Sequence, residues 1–122
     1  FHDARRVNDL TDVGHGCRGA ALATQFRGRL FDLSDCEFSL LHQACAEHAD
    51  GLTEADVTIQ TCWDADRLDL GRVGTAAAPG RLCTEAAKSP DIIRWADGRA
   101  AFELTPDWVR TEWGIRMRSH ED

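Results

Sequence analysis

The chain has 122 residues, of which 43% are hydrophobic and 29% charged, and its formal net charge is −7. This length suits one domain with one modest core, and the composition is that of a globular rather than a disordered protein. The acidic balance without a dense basic patch argues against binding to a nucleic-acid polymer, and no apolar run is long enough to cross a membrane.

The sequence starts at Phe1 rather than Met, which suggests a fragment or a processed chain. It shows no signal-peptide pattern. Its five cysteines include no C-x-x-C pair, so neither a disulfide framework nor a zinc knuckle is indicated. Cys45 and Cys62 fall on predicted apolar helix faces and are interpreted as small buried residues. Reduced thiols fit a cytoplasmic protein.

Helical periodicity throughout, without alternating β-branched residues, predicts an all-α fold. Residues 1–6 are interpreted as the last turns of a truncated first helix. After a polar loop, a second helix is predicted from about His15 to Leu30. Its apolar stripe runs back through Gly19 to His15, and a glycine at that point would permit close packing.

A third helix is predicted to start at Ser34, where the spacing of Ser34 and Glu37 is that of a capping box, and to stop near Gly51. Its stripe of apolar residues reaches Cys45 and continues to His48. Both His15 and His48 are therefore expected on core-facing positions of neighbouring helices.

A fourth helix is predicted over about Val57–Leu70. Asp66 lies midway between Cys62 and Leu70 on its apolar face, whereas Asp64 faces roughly the opposite side. A carboxylate on an apolar face is expected to be paired, protonated or bound to a metal, because burying it alone is costly.

Two shorter elements complete the chain. A fifth element opens at Thr84 and is expected to be divided by Pro90, because proline interrupts a helix. A last short helix is predicted from Thr105 and carries Trp108, followed by a polar tail over residues 114–122. The four tryptophans are interpreted as core and cap residues.

Five side chains on these elements are candidate metal ligands, namely His2, Asp3, His15, His48 and Asp66. Imidazole and carboxylate suit divalent first-row metals, and helical bundles build metal sites from inward side chains on facing helices. Taken singly, a core-facing histidine is more often a hydrogen-bonded core residue, and Asp66 could pair with Arg67 or Arg72. The occurrence of all five together favours a metal site.

In the order of these residues the chain resembles the HD-domain superfamily of metal-dependent phosphohydrolases. The matching strings are F-H-D-A-R-R from Phe1, H-G-x-x-G-A from His15, E-H-A-D-G from Glu47 and C-W-D-A-D-R-L-D from Cys62. The order resembles the branch of the superfamily that holds two metal ions, whose bacterial members hydrolyse nucleotides such as dinucleoside polyphosphates. The string W-D-A-D-R-L-D-L-G-R-V-G resembles a group of bacterial HD proteins and does not name a substrate.

The resemblance covers about residues 1–98 and implies a compact helical bundle of the HD type, with its metal site between helices. Residues 99–122 are left as a C-terminal short helix and tail. His2 and Asp3 match the HD dyad, with Asp3 expected to bridge two metals, and His15 and His48 match ligands of the second metal. Asp66 matches the closing aspartate, so Asp3 and Asp66 are the implied catalytic residues.

The resemblance also implies a further metal-binding histidine on a helix upstream of the dyad. The sequence begins at the dyad and does not contain this residue. Three explanations are open: a segment that precedes Phe1 carries the histidine, another chain in a homo-oligomer supplies it, or the site is incomplete.

The implied function is hydrolysis of a nucleotide or another small phosphoester. One or two iron or manganese ions are expected as the cofactor, because the ligands are His and Asp without Cys. Arg6, one turn after the dyad, is a candidate phosphate ligand, with a solvated arginine as the alternative. Asp64 and Asp69 are candidates for orienting the metal ligands, although Asp69 could pair with Arg72.

Two other functions fit the same residues. One is a catalytically incomplete nucleotide-binding or regulatory module on the HD scaffold, which the absent upstream histidine favours. The other is an HD-fold di-iron oxygenase, which uses a similar ligand set.

Overall fold

The computed structural model describes residues 1–102 and 106–114, and their regular secondary structure is helical apart from one isolated bridge between Arg27 and Phe31. The prediction of an all-α fold is confirmed for these residues. The helices are α1 (His15–Phe26), α2 (Asp35–Glu47), α3 (Val57–Leu68), α4 (Pro90–Ala101) and α5 (Asp107–Trp113), with short 3-10 helices at Asp69–Val73 and Pro79–Arg81.

The sequence predicts the start of α2 correctly, but it places the ends of α1 and α2 a few residues too late, since α2 ends at Glu47. The capping box that starts α2 is present, since Ser34 Oγ accepts from the backbone N–H of Glu37 and the Glu37 carboxylate accepts from the N–H of Ser34. The predicted end of α1 at Leu30 is wrong, and the helix ends at Phe26. Gly28 adopts a left-handed φ of 74° and turns the chain, which leaves Leu30 exposed.

The C-terminal half follows its proline and turn signals. The helical path of α3 tightens into the 3-10 helix Asp69–Val73, which ends at Gly74 with a φ of 78°. Pro90 is the first residue of α4, where its missing N–H leaves no hydrogen bond unmade. The boundary predicted at residue 98 falls inside α4, and residues 103–105 and 115–122 of the predicted last segment lie outside the described residues.

Residues 1–6 do not form the predicted end of an α-helix. The N–H of Ala4 donates to the carbonyl of Phe1, and that of Arg6 donates to the carbonyl of Asp3, so each bond spans three residues as in a turn. These turns lie against α1, which positions the neighbouring side chains of His2 and Asp3.

The helices pack in sequence order, α1 on α2 and α2 on α3, while α4 covers the 3-10 helix that follows α3. Small side chains dominate the buried core, which allows close approach between helices. Its larger members are Ile59, Trp63 and Leu82, and the Trp63 indole N–H donates to the carbonyl of Ala44 at 3.1 Å. Of the four tryptophans, predicted as core and cap residues, Trp63 lies in the core, and Trp95, Trp108 and Trp113 are exposed.

All five cysteines are free thiols. Cys45 is buried as predicted, whereas Cys62 is exposed, because α3 turns its Ile59 and Trp63 face toward α2. Within the described ranges, no helix is both long enough and apolar enough to cross a membrane.

Candidate metal centre

Two histidines from neighbouring helices meet at the centre of the candidate site. His15 is the first residue of α1, His48 directly follows α2, and both are buried. Their Nε2 atoms lie 2.9 Å apart. Oδ1 of Asp3 lies 3.2 Å from Nε2 of His15 and 3.4 Å from Nε2 of His48. Three ligand atoms from three separate segments therefore converge on one point.

Backbone carbonyls fix the orientation of both imidazoles. Nδ1 of His15 lies 2.7 Å from the carbonyl oxygen of Asp12, and Nδ1 of His48 lies 2.8 Å from that of Cys45. Because a carbonyl oxygen only accepts hydrogen bonds, each Nδ1 carries the hydrogen and donates it. In neutral rings the two Nε2 atoms then present lone pairs to each other, an arrangement that a cation or a proton between them would relieve.

The separations within this group match the spacing of ligands around one ion. Atoms bound at about 2.0–2.1 Å from a metal lie roughly 3 Å apart at right angles in an octahedral site and roughly 3.4 Å apart in a tetrahedral site. The three observed separations, 2.9, 3.2 and 3.4 Å, fall in this range. Asp3, His15 and His48 could therefore hold a metal ion.

His2 and Asp66 extend the cluster on the other side of Asp3. Nε2 of His2 lies 3.7 Å from Oδ2 of Asp3 and 3.6 Å from Oδ1 of Asp66. His2, His48 and Asp66 form a second group that could hold a metal, with all ligand atoms within 4.8 Å of one another. The structure thus brings the five predicted ligands together, and the binding of a metal by them stays a prediction.

Arg6 lies beside the cluster. Its Nη1 is 3.3 Å from Oδ1 of Asp3, and its Nε donates to the carbonyl of Asn8. Burial raises the pKa of Asp3, but the charges of His2 and Arg6 and the hydrogen bond from Arg6 outweigh burial and hold that pKa below its ordinary value. Asp3 is therefore kept ionised, which is the form that binds a cation.

Two glycines of α1 let the three segments approach closely. A Cβ at Gly16 would lie 2.5 Å from the carbonyl oxygen of Cys45 and 3.0 Å from Nδ1 of His48. A Cβ at Gly19 would clash with the carbonyl oxygen of Phe1 and lie 2.8 Å from that of His2. The close packing predicted at Gly19 is present, and Gly16 plays the same part against α2. The H-G-x-x-G pattern thus places small residues where His48 and the dyad meet α1.

Asp64 makes its hydrogen bonds away from the cluster, on a different side of α3 from Asp66. Its carboxylate is buried, and accepts hydrogen bonds from the backbone N–H groups of Cys83 and Thr84 at 2.6 and 2.9 Å and from the Thr84 hydroxyl at 2.7 Å. Burial raises the pKa of Asp64, but these hydrogen bonds outweigh it and lower the pKa. Residues 82–84 cover a second face of α3, which buries Asp64.

Asp69 is also separate from the five candidate ligands. Its Oδ2 accepts from Nε of Arg72 at 2.8 Å, which is the pairing that the sequence left open as an alternative. These hydrogen bonds of Asp64 and Asp69 thus go to residues outside the cluster. The predicted role of both aspartates in orienting metal ligands gains no support from these contacts.

Two cavities open beside the cluster and meet at His48, Asp66 and Arg72. The larger, of about 930 Å³, is lined by Asp3 and His15 and by four arginines, which are Arg6, Arg67, Arg72 and Arg81. The smaller, of about 730 Å³, runs between α2, α3 and α4. Arg81 lay outside the sequence prediction because its 3-10 helix has no ligand motif and reaches the site only through the fold.

No protein-family model, curated protein or solved structure matches the chain.

Proposed function

We propose that the chain is an HD-type, metal-dependent phosphohydrolase that acts on a nucleotide or another small phosphoester. The observation that carries this proposal is the convergence of Asp3, His15 and His48, with His2 and Asp66 beside them, next to an arginine-lined cavity. The order of these five residues along the chain, which resembles that of the HD superfamily, supports the same reaction class.

The two oxygens of Asp3 suit a role between two ions. Oδ1 faces His15 and His48, whereas Oδ2 faces His2. Both candidate groups include His48, which has only Nε2 to offer because its Nδ1 donates to a carbonyl. One ion would therefore take His48 and a second would depend more on His2 and Asp66. Nitrogen and oxygen ligands without a cysteine favour iron or manganese over structural zinc.

The proposed reaction is hydrolysis of a phosphate ester. A bound divalent ion would lower the pKa of a water molecule and neutralise charge on the phosphate. The water oxygen forms a bond to phosphorus, the ester P–O bond breaks, and a proton from the water passes to the leaving alkoxide. The products are an alcohol and inorganic phosphate.

Two residues of the chain have proposed roles in this step beyond holding ions. Asp66, half-buried at the cavity wall, would accept the proton of the water on a carboxylate oxygen and return it to the leaving group. Arg6, which bonds Asp3 and lines the same cavity, would stabilise charge on the phosphate through its planar guanidinium.

The test is metal content and phosphatase activity of the chain loaded with Mn²⁺ or Fe²⁺, with p-nitrophenyl phosphate and a nucleoside monophosphate as substrates. We expect His48→Gln and Asp66→Asn to reduce turnover at least about a hundredfold. His42→Gln is the matched control, because His42 is an exposed histidine in α2, the helix that directly precedes His48. His42→Gln should leave metal content and turnover unchanged.

Two outcomes would contradict the proposal. Unchanged metal content and turnover in both site variants would remove the cluster from the function. Oxygen-dependent turnover of a non-phosphorylated substrate, without phosphatase activity, would assign the oxygenase function to the same ligands.

A further inference from the structure

The larger cavity carries a charge that suits an anion once an ion is bound. Four arginines line it, and so do four aspartates, which are Asp3, Asp9, Asp50 and Asp66, so the fixed charges cancel. One divalent ion at Asp3, His15 and His48 leaves a net charge of about +2 in a chain whose overall charge is −7. This local excess matches a phosphate dianion.

The smaller cavity has a different character. Away from the cluster its walls are largely apolar, formed by Leu41 and Ala44 of α2, Leu68 of α3, and Trp95 and Ala96 of α4. Trp95 is 62% exposed, and the Arg99 guanidinium lies 4.9 Å from the centre of its ring. An indole exposed in a groove gains from contact with an apolar or planar group, both through area removed from water and through stacking.

The two cavities share part of their walls beside the cluster. Three residues, His48, Asp66 and Arg72, line both of them. A molecule with its phosphate among the arginines would therefore place its next atoms at the entrance of the apolar groove. Arg72 lies at this junction and is positioned there by Asp69, which accepts from its Nε at 2.8 Å.

We infer that the substrate is a phosphoester of an apolar alcohol, with its phosphate held at Arg72 and the ion and its aromatic or aliphatic group lying along the groove at Leu41 and Trp95. This inference rests on the proposed function. It narrows the substrate class from phosphoesters in general to those with an apolar leaving group. Arg72 is a substrate-binding residue in this scheme, and Trp95 determines specificity.

The experiment measures binding to the Mn²⁺-loaded full chain by calorimetry, with inorganic phosphate, glycerol 2-phosphate and 1-naphthyl phosphate as probes. We expect 1-naphthyl phosphate to bind at least about tenfold more tightly than glycerol 2-phosphate. Trp95→Ala should remove that preference and leave the affinity for inorganic phosphate unchanged. Arg72→Ala should weaken binding of all three probes, and Arg72→Lys should restore part of it.

Trp108→Ala is the control, because Trp108 is a half-exposed tryptophan of α5 that lines neither cavity. Equal affinity for the naphthyl and glycerol esters, or a naphthyl preference that survives in Trp95→Ala, would overturn the inference. Failure of the proposed function gives a different result: tight and selective binding of 1-naphthyl phosphate without metal-dependent turnover. That result would retain the recognition of an apolar phosphoester and discard the hydrolysis.

Discussion

Helix α3 carries two aspartates, two residues apart, whose surroundings differ in kind. Asp64 is buried and accepts three hydrogen bonds from Cys83 and Thr84. Asp66 is half-buried and faces the imidazole of His2 across 3.6 Å at the wall of two cavities. The carboxylate of Asp64 already accepts hydrogen bonds within the fold, whereas that of Asp66 faces a candidate metal ligand.

The groups that each carboxylate contacts, rather than its burial, distinguish the structural aspartate from the candidate functional one. Burial by itself would select Asp64, whose relative exposure is 3%, as the unusual residue. The partners reverse the choice, because a carboxylate that accepts several N–H and O–H bonds is satisfied where it lies. Substitutions on the two sides of α3 should therefore affect different properties, stability at Asp64 and metal binding at Asp66.

The largest expected effect is the contrast between Asp64→Ala and Asp66→Ala. Asp64→Ala should lower the free energy of unfolding by about 3 kcal/mol, because the N–H groups of Cys83 and Thr84 lose their acceptor. Asp66→Ala should change it by less than about 1 kcal/mol in metal-free protein, while bound metal decreases. Urea unfolding with chelator present and elemental analysis measure the two quantities. Equal destabilisation by both substitutions would remove the distinction.

The next effect is stabilisation by the ion itself. Mn²⁺ at about a hundred times its dissociation constant should add about 2.7 kcal/mol to the stability of the folded chain. The expected rise in Tm on replacing chelator with Mn²⁺ should be absent in His48→Gln and retained in His42→Gln. A rise of equal size in both variants would show that the ion binds elsewhere.

A third test changes the close packing of Gly19 against Phe1 and His2, which holds the dyad beside α1. Gly19→Ala should cost about 1–3 kcal/mol and weaken metal binding, because its Cβ would meet the backbone of Phe1 and His2. Gly98→Ala in α4 is the matched control, since a Cβ there meets nothing within 4 Å. It should stabilise the chain by up to about 1 kcal/mol. Thermal unfolding and metal titration of both variants would contradict this prediction if Gly19→Ala kept full metal affinity.

The smallest effect concerns Glu37, an exposed carboxylate that, like Asp64, already accepts hydrogen bonds. Hydrogen bonds from the Ser34 hydroxyl and backbone lower the pKa of Glu37. The ionised Glu37 therefore stabilises the fold fully above the pKa that this residue has in the unfolded chain. This stabilisation is lost as the pH falls through the lower pKa of Glu37 in the folded chain. Glu37→Gln should reduce Tm slightly at neutral pH, and the difference from the parent should shrink as the pH falls below about 4.3, the ordinary pKa of glutamate, and disappear below the lower folded pKa. A constant difference at every pH would assign the effect to packing.

The sequence predicted the all-α class and the elements that carry His15, His48 and Asp66, because helical spacing and the Ser34 capping box are local signals. It could not predict that α3 is covered on two faces, since residues 82–84 reach Asp64 only through the tertiary fold. The exposure of Cys62 and Trp95 has the same origin. Which segments can approach depends on Gly16 and Gly19. The sequence predicted close packing at Gly19, whereas the part of Gly16 appears only when the backbones of α1 and α2 are placed together.

The orientation of the two central imidazoles depends on carbonyl groups of Asp12 and Cys45. Every residue type supplies the same carbonyl, so substitutions at these two positions can change the side chain while the Nδ1 hydrogen bonds persist. The two Nδ1 hydrogen bonds themselves therefore place no requirement on the side chains at positions 12 and 45. A search for functional residues by invariance alone would pass over two of the groups on which the centre depends.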